Sequence, residues 1–470
     1  MYLDPWVAEK INIHISSVGE NVQVLGPRCE NVLGDENGPW HEYFNCRSLT
    51  REALDTYSEN KRVELVAFLM EKSPFYKKFL NGIIASTGGA IDISGTMDAS
   101  EGLFDCGSTD SGDDMGNGEK LGIDVAADTR GAIDNMENID ADGSINSVRG
   151  INSRKDTDPG QLLDLAKILV SKWELIPFTC AQDIISQGEQ MLCVHPSEIS
   201  RIVSQTTSGT TGPSKRIYFT PQDQELTLDY FHHGMKIMVA PGDKVLILLP
   251  HKSPGSLGFL LQESLFRLGA EGFFEDSLET LGKGFSIEGE AQKRLKKLGY
   301  VSDVSKIDLL KIKEITAIVG PPSLIVSLTK TYPSIHPHSI LMTADFVAGE
   351  DRKAVKDTWG SRIFEHYGMT EMGLGCAMSC RDTEENMPVG YHIRENDLYI
   401  EIVDPVSTKI LPQGEWGEIV VTTLTRMGMP LLRYRTGDTG RFLKDPCSCG
   451  SVLKRLDRVQ KRSQSKNINE

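Results

Sequence analysis

Small hydroxyl residues, glycines and two cations stand together between residues 206 and 216, in the order Thr-Thr-Ser-Gly-Thr-Thr-Gly-Pro-Ser-Lys-Arg. Hydroxyl groups donate hydrogen bonds, glycine lets the backbone approach a ligand, and the cations attract negative charge, so the stretch suits an oxyanion such as a nucleotide phosphate. Its spacing is not that of a Walker A loop, in which lysine directly follows the last glycine. A polar surface loop would have a similar composition, so the other motifs must decide.

Two more stretches carry side chains that suit a nucleotide and a metal ion. Residues 367–371 read Tyr-Gly-Met-Thr-Glu and follow a predicted strand at 362–366. An aromatic ring there can stack on a purine, the threonine hydroxyl can reach a phosphate, and the glutamate can bind Mg²⁺. In the second stretch, residues 433–438, Asp438 follows a glycine turn and can accept both hydroxyls of a ribose. Each stretch alone is also typical of an ordinary loop.

The cysteines suggest a separate metal site. The chain has nine cysteines, an odd number spread over 470 residues, which does not indicate a disulfide framework. Cys447 and Cys449 lie in a turn bounded by proline and glycine, and Cys376, Cys380 and His392 precede them. These are the ligand types of a structural zinc site. A reduced pair of thiols without a metal is the alternative interpretation.

The elements that must position these residues alternate in type after residue 159. Helical patterns at 161–173 and 257–268 alternate with strand-like runs at 244–249, 315–319 and 340–343. This order predicts a layered α/β core over residues 159–396. From Tyr399 onward the pattern is that of antiparallel hairpins, with a turn at residues 412–414. It predicts a small β subdomain over residues 397–470.

Two other segments precede this core. Residues 1–81 hold a helical opening, in which the amphipathic run at 62–70 ends at Ser73-Pro74 and a short turn follows. Residues 82–158 are rich in Gly, Ser, Asp and Asn, and the part from Ser86 to Gly150 has 14 acidic against 3 basic residues. Low hydrophobicity with high net charge does not offset the entropy of ordering, so we predict a disordered acidic insertion.

The overall composition excludes several classes of partner. The formal net charge of −16 argues against a nucleic-acid binder and against binding to an anionic membrane surface. No apolar run approaches the roughly 18 residues of a spanning helix, and the first residues resemble neither a signal peptide nor a basic targeting segment. We therefore expect a cytoplasmic protein without nucleic-acid or membrane partners.

Taken together, the three nucleotide motifs resemble, in order and spacing, the adenylate-forming (AMP-binding) superfamily of acyl- and aryl-coenzyme A ligases. Within that superfamily the chain looks most like the phenylacetate-coenzyme A ligase branch. The stretches that carry this second resemblance are 73–78, 176–179, 390–393, 430–438 and 446–450. The resemblance implies a layered α/β large N-terminal domain with a small antiparallel β subdomain.

The resemblance also implies a reaction and a set of residues. A carboxylic acid, aryl or another organic acid, would react with ATP to give an acyl-adenylate and then a thioester of coenzyme A. Lys215, Thr370 and Glu371 would be catalytic, with Thr370 at the α-phosphate and Glu371 on Mg²⁺. The matching motifs assign the binding of ATP to Ser208, Gly209, Thr210, Thr211, Gly212, Ala344, Asp345, Tyr367, Gly368 and Asp438. The preferred ligands of a structural Zn²⁺ are Cys380, His392, Cys447 and Cys449, with Cys376 as the alternate.

The stretch after Asp438 departs from the pattern of the superfamily. Relatives continue through a hinge into a mobile C-terminal lid, whereas here a polar, basic tail follows Arg455-Leu456-Asp457-Arg458, and we expect the lid to be absent. A homodimer and a partner that supplies a lid are further expectations from the resemblance. Two other hypotheses stay open: adenylylation of a redox cofactor or another acceptor without coenzyme A, and a non-catalytic nucleotide-binding scaffold.

Overall fold

The computed structural model describes residues 4, 6–11, 49–86, 159–205, 214–253, 255–274, 312–380 and 390–461. The chain divides into two compact units, one formed by Met1–Leu80 with Thr157–Glu470 and the other by Asn81–Asp156. The account below concerns the first unit. Apart from residues 82–86, the predicted acidic insertion lies outside the described residues, as do Ser208, Gly209, Thr210, Thr211 and Gly212.

The helices and strands alternate in the order that the sequence patterns predict. The α-helices are α1 (Arg51–Lys72), α2 (Pro74–Ser86), α3 (Pro159–Ser171), α4 (Ala181–Gln187), α5 (Pro221–Met235), α6 (Leu257–Arg267), α7 (Pro322–Thr331) and α8 (Gly349–Trp359). The first strands are β1 (Arg201–Gln205), β2 (Lys215–Phe219), β3 (Lys244–Ile247), β4 (Glu271–Phe274), β5 (Ala317–Gly320), β6 (Ser339–Met342) and β7 (Arg362–Tyr367). The later strands are β8 (Ala377–Met378), β9 (Tyr391–Ile393), β10 (Leu398–Val403), β11 (Gly417–Thr423), β12 (Tyr434–Gly440), β13 (Arg455–Leu456) and β14 (Gln460–Lys461).

The described strands form a large mixed sheet, a smaller antiparallel sheet and a hairpin. The large sheet has eight strands in the order β13-β9-β8-β7-β6-β5-β3-β4, parallel from β4 to β7 and antiparallel beyond β7. The smaller sheet, β10-β11-β12-β14, is antiparallel throughout. This architecture confirms the predicted fold class, a layered α/β domain with a small antiparallel part.

Both faces of the large sheet are covered, as the apolar runs in its parallel strands require. Alternate residues of one strand point to opposite faces. Thus Val245 and Ile247 pack in one cluster with Leu228 of α5 and Leu261 of α6. On the other face, Leu246 and Ile318 pack with Leu324 of α7 and Trp359 of α8.

Helix α5 begins at a capping box that also holds a distant loop. The Thr220 hydroxyl accepts a hydrogen bond from the Asp223 N–H at 3.1 Å, and the Asp223 carboxylate accepts one from the Thr220 N–H at 2.9 Å. The same carboxylate accepts hydrogen bonds from the N–H groups of Met427 and Gly428, at 2.8 and 3.0 Å. This side chain therefore fastens the loop after β11 to the start of α5.

Two details of the sequence prediction were wrong. Pro74 starts α2, a helix of 13 residues that runs to Ser86, rather than a short turn, because Phe75, Tyr76 and Leu80 are buried along it. The helix therefore includes residues 82–86, which the composition assigned to the acidic insertion. In addition, β13 lies in the C-terminal segment but pairs with β9 of the large sheet.

Among the described helices, none combines the length and apolar character that a membrane crossing requires.

Candidate functional site

The predicted phosphate stretch connects the two strands of the hairpin. Strands β1 and β2 pair antiparallel, with Gln205 opposite Lys215, so segment 206–214 starts and ends at this closing pair. Lys215, the first residue of β2, makes an ion pair with Glu371. Glu371 lies in the short 3₁₀ helix Thr370–Met372 that follows β7. The side chains are 12% and 1% exposed, so two predicted catalytic residues 156 positions apart meet in a largely dry environment.

A third side chain orients this carboxylate. The Tyr434 hydroxyl donates a hydrogen bond to Glu371 Oε1 at 3.1 Å. Burial and the neighbouring Glu371 raise the pKa of the Tyr434 phenol above its ordinary value, so this hydroxyl remains a donor at neutral pH. Tyr434 lies in the stretch that carries the family resemblance, but no motif assigns it a role. Only the long-range contact reveals one.

The position of Tyr434 depends on Arg433, whose backbone has φ +46°. The buried Arg433 guanidinium donates two hydrogen bonds to the Glu401 carboxylate, at 3.2 and 2.9 Å, and lies over the Phe178 ring. It also donates to the carbonyl groups of Trp173, Glu174 and Ile176. This arrangement fixes the start of β12 against the segment before α4 and therefore sets where the Tyr434 hydroxyl lies.

The predicted adenine and ribose contacts are also neighbours. The Tyr367 hydroxyl, at the end of β7, donates a hydrogen bond to Asp438 Oδ2 of β12 at 2.9 Å. Burial and the Asp438 carboxylate raise the pKa of the Tyr367 phenol well above its ordinary value. Since β7 belongs to the large sheet and β12 to the smaller one, these residues lie where the two sheets meet. Sites in open α/β sheets commonly lie beyond the carboxyl ends of the parallel strands.

The remaining predicted residues surround the carboxyl ends of β6 and β7. Thr370 is buried, Ala344 is exposed with φ +68°, and Asp345 follows it after the end of β6. The Thr343 hydroxyl lies 2.9 Å from His366 Nδ1. This contact joins the residue after β6 to the end of β7. A side chain at Gly368 would come within 2.6 Å of the Leu374 carbonyl oxygen, so the close turn requires glycine.

A second group of predicted residues converges at the other edge of the large sheet. His392 of β9 stands opposite Met378 of β8 on one side and Arg455 of β13 on the other. Cys380 follows β8, and Cys447 and Cys449 precede β13, so the thiols approach the histidine from both sides. The ligand atoms of Cys380, His392, Cys447 and Cys449 all lie within 4.8 Å of one another.

The geometry of this cysteine–histidine cluster fits a tetrahedral metal ion. Cys380 Sγ lies 3.5 Å from Cys447 Sγ, and Cys449 Sγ lies 3.4 Å from His392 Nε2. Two sulfur ligands of one tetrahedral zinc are about 3.8 Å apart, given Zn–S bonds of about 2.3 Å. Hydrogen bonds from Cys380 and His392 lower the pKa of the Cys449 thiol, whereas the contact with Cys449 and burial raise the pKa of the Cys380 thiol, so the two thiols titrate as a pair. Cys376, the alternate ligand, is buried elsewhere and is not part of the cluster.

Residues 298–428 match the AMP-binding enzyme family. The phenylacetate-coenzyme A ligase of Pseudomonas putida is 30% identical over 166 residues, which cover 34% of this chain and 36% of that enzyme. The enzyme of the same name from Escherichia coli is 38% identical over 113 residues, 24% of each chain. The matched stretches thus span about a third or less of the length of these relatives.

A solved structure with a similar fold covers more of the chain. The 2-hydroxyisobutyryl-CoA ligase, in complex with 2-HIB-AMP and CoA, has a TM-score of 0.56 at 17% identity and covers 88% of this chain and 69% of that chain. Residues 298–428 are thus similar to the AMP-binding enzyme family, and the fold is similar to that of this ligase. The sequence relatives named above are phenylacetate-coenzyme A ligases, and the chain is similar to them over the matched stretches.

Proposed function

We propose that this protein activates an organic acid with ATP and transfers the acyl group to coenzyme A. The observation that carries the proposal is the meeting of Lys215, Glu371 and Tyr434 beside the pair Tyr367–Asp438. These residues come from three stretches of sequence that are far apart, yet they form one site where the two sheets meet. We propose an aryl acid as the substrate because the curated relatives are named for phenylacetate.

In the first half-reaction, an oxygen of the acid would attack the α-phosphorus of ATP, and the bond from that phosphorus to pyrophosphate would break. The protein's contribution to such a step is mainly orientation and charge stabilisation. Tyr367 would stack on adenine, Asp438 would accept hydrogen bonds from the ribose, and Thr370 would contact the α-phosphate. Lys215 would leave Glu371 and pair with a phosphate oxygen. In the second half-reaction, the thiol sulfur of coenzyme A would attack the acyl carbon, lose its proton and release AMP.

Glu371 fits a magnesium ligand, because its carboxylate offers hard oxygens and Tyr434 holds it in one orientation. Bound Mg²⁺ neutralises charge on the phosphate oxygens of ATP. Glu371 is already neutralised by Lys215, so an ion and the lysine would exchange places when the nucleotide binds.

We further propose that the cysteine–histidine cluster holds a structural Zn²⁺. All four of its ligand positions come from the protein, which leaves no open position for chemistry. Its ligands come from β9, from Cys380 two residues after β8, and from the loop before β13. Bound zinc would therefore fasten the C-terminal segment to the edge of the large sheet.

Release of pyrophosphate over a panel of aryl and aliphatic acids, with and without coenzyme A, tests the proposal. We expect acid-dependent release and, with coenzyme A, a thioester. Glu371→Gln should lower the rate of release by about 10²–10³-fold, since it removes one well-placed charged group. Glu401→Gln is not a suitable control because Glu401 anchors Arg433. Asp404→Asn, at a partly exposed position outside the nucleotide motifs, serves instead.

The outcomes separate the three hypotheses. Acid-dependent release without a thioester would replace the ligase by an adenylylating enzyme that uses another acceptor. ATP binding without release over any acid would leave the nucleotide-binding scaffold and refute both enzymatic functions.

A further inference from the structure

Two buried arginines near Glu371 have unsatisfied hydrogen-bond donors. Arg394 and Arg426 are only 3% and 6% exposed. Nη1 of each has no hydrogen-bond partner among the residues that the structure describes. A buried charged group without partners is costly, and such groups in native proteins usually have a ligand or a water. The two side chains therefore need an explanation.

Both guanidinium groups face the same point of the chain. Gly373, two residues after Glu371, has φ +75°, and a side chain built on it would lie 3.3 Å from Arg426 Nη2 and 3.5 Å from Arg394 Nη2. The Thr227 hydroxyl lies 3.6 Å from the same position. The Thr227 hydroxyl already donates to the Gly373 carbonyl oxygen at 2.9 Å and Arg394 Nη2 to the Met372 carbonyl oxygen at 3.0 Å, so it is Nη1 of each arginine that lacks an acceptor here. Any other residue at 373 would be strained and would point between the two cations.

Two more side chains with an unsatisfied polar atom lie beside Gly375, two residues further along the chain. Tyr230 Oη and His366 Nε2 are buried and have no hydrogen-bond partner in the described parts of the chain. The Tyr230 ring lies 4.9 Å from the Arg394 guanidinium and 6.0 Å from the His366 ring. Burial and Arg394 lower the pKa of His366 to about 4, so the imidazole is neutral at physiological pH. Four unsatisfied groups therefore surround the segment 373–375.

We propose that Arg394, Arg426, Tyr230 and His366 form an oxyanion-binding site along the segment 373–375, which follows Glu371 in the chain. The ligand is a carboxylate or a phosphate, because both offer several acceptor oxygens in the plane of a guanidinium group. The site itself is inferred from side-chain geometry, and only the identity of its ligand rests on the proposed function. In that reaction, the carboxylate of the acid, a second carboxylate on it, or released pyrophosphate could supply the oxyanion.

A purely structural role explains part of the arrangement. Arg394 pairs with Asp397 at 3.5 Å and donates to the Met372 carbonyl oxygen at 3.0 Å. Arg426 lies over the Phe219 ring at 5.0 Å and close to Asp223. However, the Asp223 oxygens already accept three backbone hydrogen bonds, from Thr220, Met427 and Gly428. Burial lowers the pKa of Arg426 to about 10, as expected for a cation that lacks sufficient compensation.

The test compares anion binding by the wild type and by Arg426→Met in a buffer without phosphate or sulfate. The probes are inorganic phosphate, pyrophosphate, phenylacetate and succinate, and the readouts are the Tm and calorimetric titration. We expect at least one probe to bind the wild type and to bind Arg426→Met at least tenfold more weakly. Without a probe, the Tm of Arg426→Met should equal or exceed that of the wild type, because an unsatisfied buried charge has been removed.

Two further variants guard against misfolding. Arg441→Met is the matched control, since Arg441 also lies over an aromatic ring, that of Trp416, but outside the site; its anion binding should be unchanged. Tyr230→Phe removes only a hydroxyl without a partner, so it should fold normally and bind the probe about three- to tenfold more weakly. Stronger binding of the carboxylates or of the phosphates identifies the source of the oxyanion.

Unchanged anion affinity in Arg426→Met and Tyr230→Phe, or no binding of any probe by the wild type, would refute the site. A large loss of Tm in probe-free Arg426→Met with wild-type affinity in Tyr230→Phe would show that the arginine is structural. These results are independent of the ligase proposal. A wild type that releases no pyrophosphate but binds an anion through Arg426 would retain the site and lose the proposed function.

Discussion

The proposed nucleotide site and the cysteine–histidine cluster differ in how their polar side chains are satisfied. In the nucleotide site, Lys215 makes an ion pair with Glu371, and the Tyr367 hydroxyl donates a hydrogen bond to Asp438. These four side chains already have partners within the protein. In the cluster, three sulfur atoms and one imidazole nitrogen crowd within 4.8 Å, and all four are groups that donate electron pairs to a metal. The first arrangement is satisfied without a ligand, whereas the second is best satisfied by a cation.

This difference indicates two modes of ligand binding. A ligand of the nucleotide site must exchange with an existing ion pair, which favours binding and release in every catalytic cycle. A metal in the cluster would replace repulsion between thiolates by four coordinate bonds, which favours permanent binding. We therefore expect changes in the cluster to alter the stability of the protein and changes in the nucleotide site to alter its rate.

The largest effect should follow the loss of one ligand from the cluster. Cys449→Ser should abolish stoichiometric zinc, measured by elemental analysis, and lower the Tm by at least about 5 °C because the C-terminal segment loses its attachment. Cys376→Ser is the control: Cys376 is more deeply buried than Cys449 but lies outside the cluster, so this variant should keep its zinc. Zinc retained in the first variant and lost in the second would reverse the assignment.

A smaller effect, on rate rather than stability, is expected at the nucleotide site. Tyr434→Phe removes the hydrogen bond that orients Glu371, so we expect pyrophosphate release to fall about tenfold and the Mg²⁺ concentration for half-maximal rate to rise. Tyr391→Phe is the control, because Tyr391 also donates to a buried glutamate but to Glu365 rather than to Glu371. Equal effects of the two substitutions on the Mg²⁺ requirement would contradict an orienting role for Tyr434.

The smallest effect concerns acid stability near the nucleotide site. The pKa of His366 falls from an ordinary 6.5 to about 4 because the imidazole is buried and Arg394 is near. Between those values the unfolded chain binds more protons than the folded one, so stability contributed by the neutral histidine is present above pH 6.5 and is lost as the pH falls toward 4. Denaturant unfolding at pH 7 and pH 5 should show a steeper loss for the wild type than for His366→Asn, by on the order of 1 kcal/mol. Parallel losses in both proteins would contradict this.

Local pattern predicted much of the fold. Helix α6 lies where the helical pattern at 257–268 predicts it, because the signal for this element is local. The predicted strand at 315–319 begins two residues too early. Ile315 and Thr316 belong to the same apolar run but precede β5, which is Ala317–Gly320. The sequence pattern predicts only a short turn in place of helix α2, because the burial of this helix depends on distant parts of the chain.

The candidate site shows the same limit. Motif matching identified Lys215 and Glu371 separately, but their ion pair joins residues 156 positions apart and depends on the packing of β2 against the end of β7. Arg426 belongs to no motif used in the sequence prediction, and its unsatisfied Nη1 becomes visible only when its surroundings are known. For the cysteines, spacing left Cys376 and Cys380 as alternatives, and the register of β8 against β9 brings Cys380 to His392.

The pairing of the last described strands has a consequence for how the protein unfolds. Strand β13 adds to β9 of the large sheet, and four residues later β14 adds to β12 of the smaller one. One short stretch of chain is thus hydrogen-bonded into both sheets, and neither sheet can melt completely without disturbing the other. Calorimetry of the protein should accordingly show the two sheets unfolding in one cooperative transition instead of two independent ones.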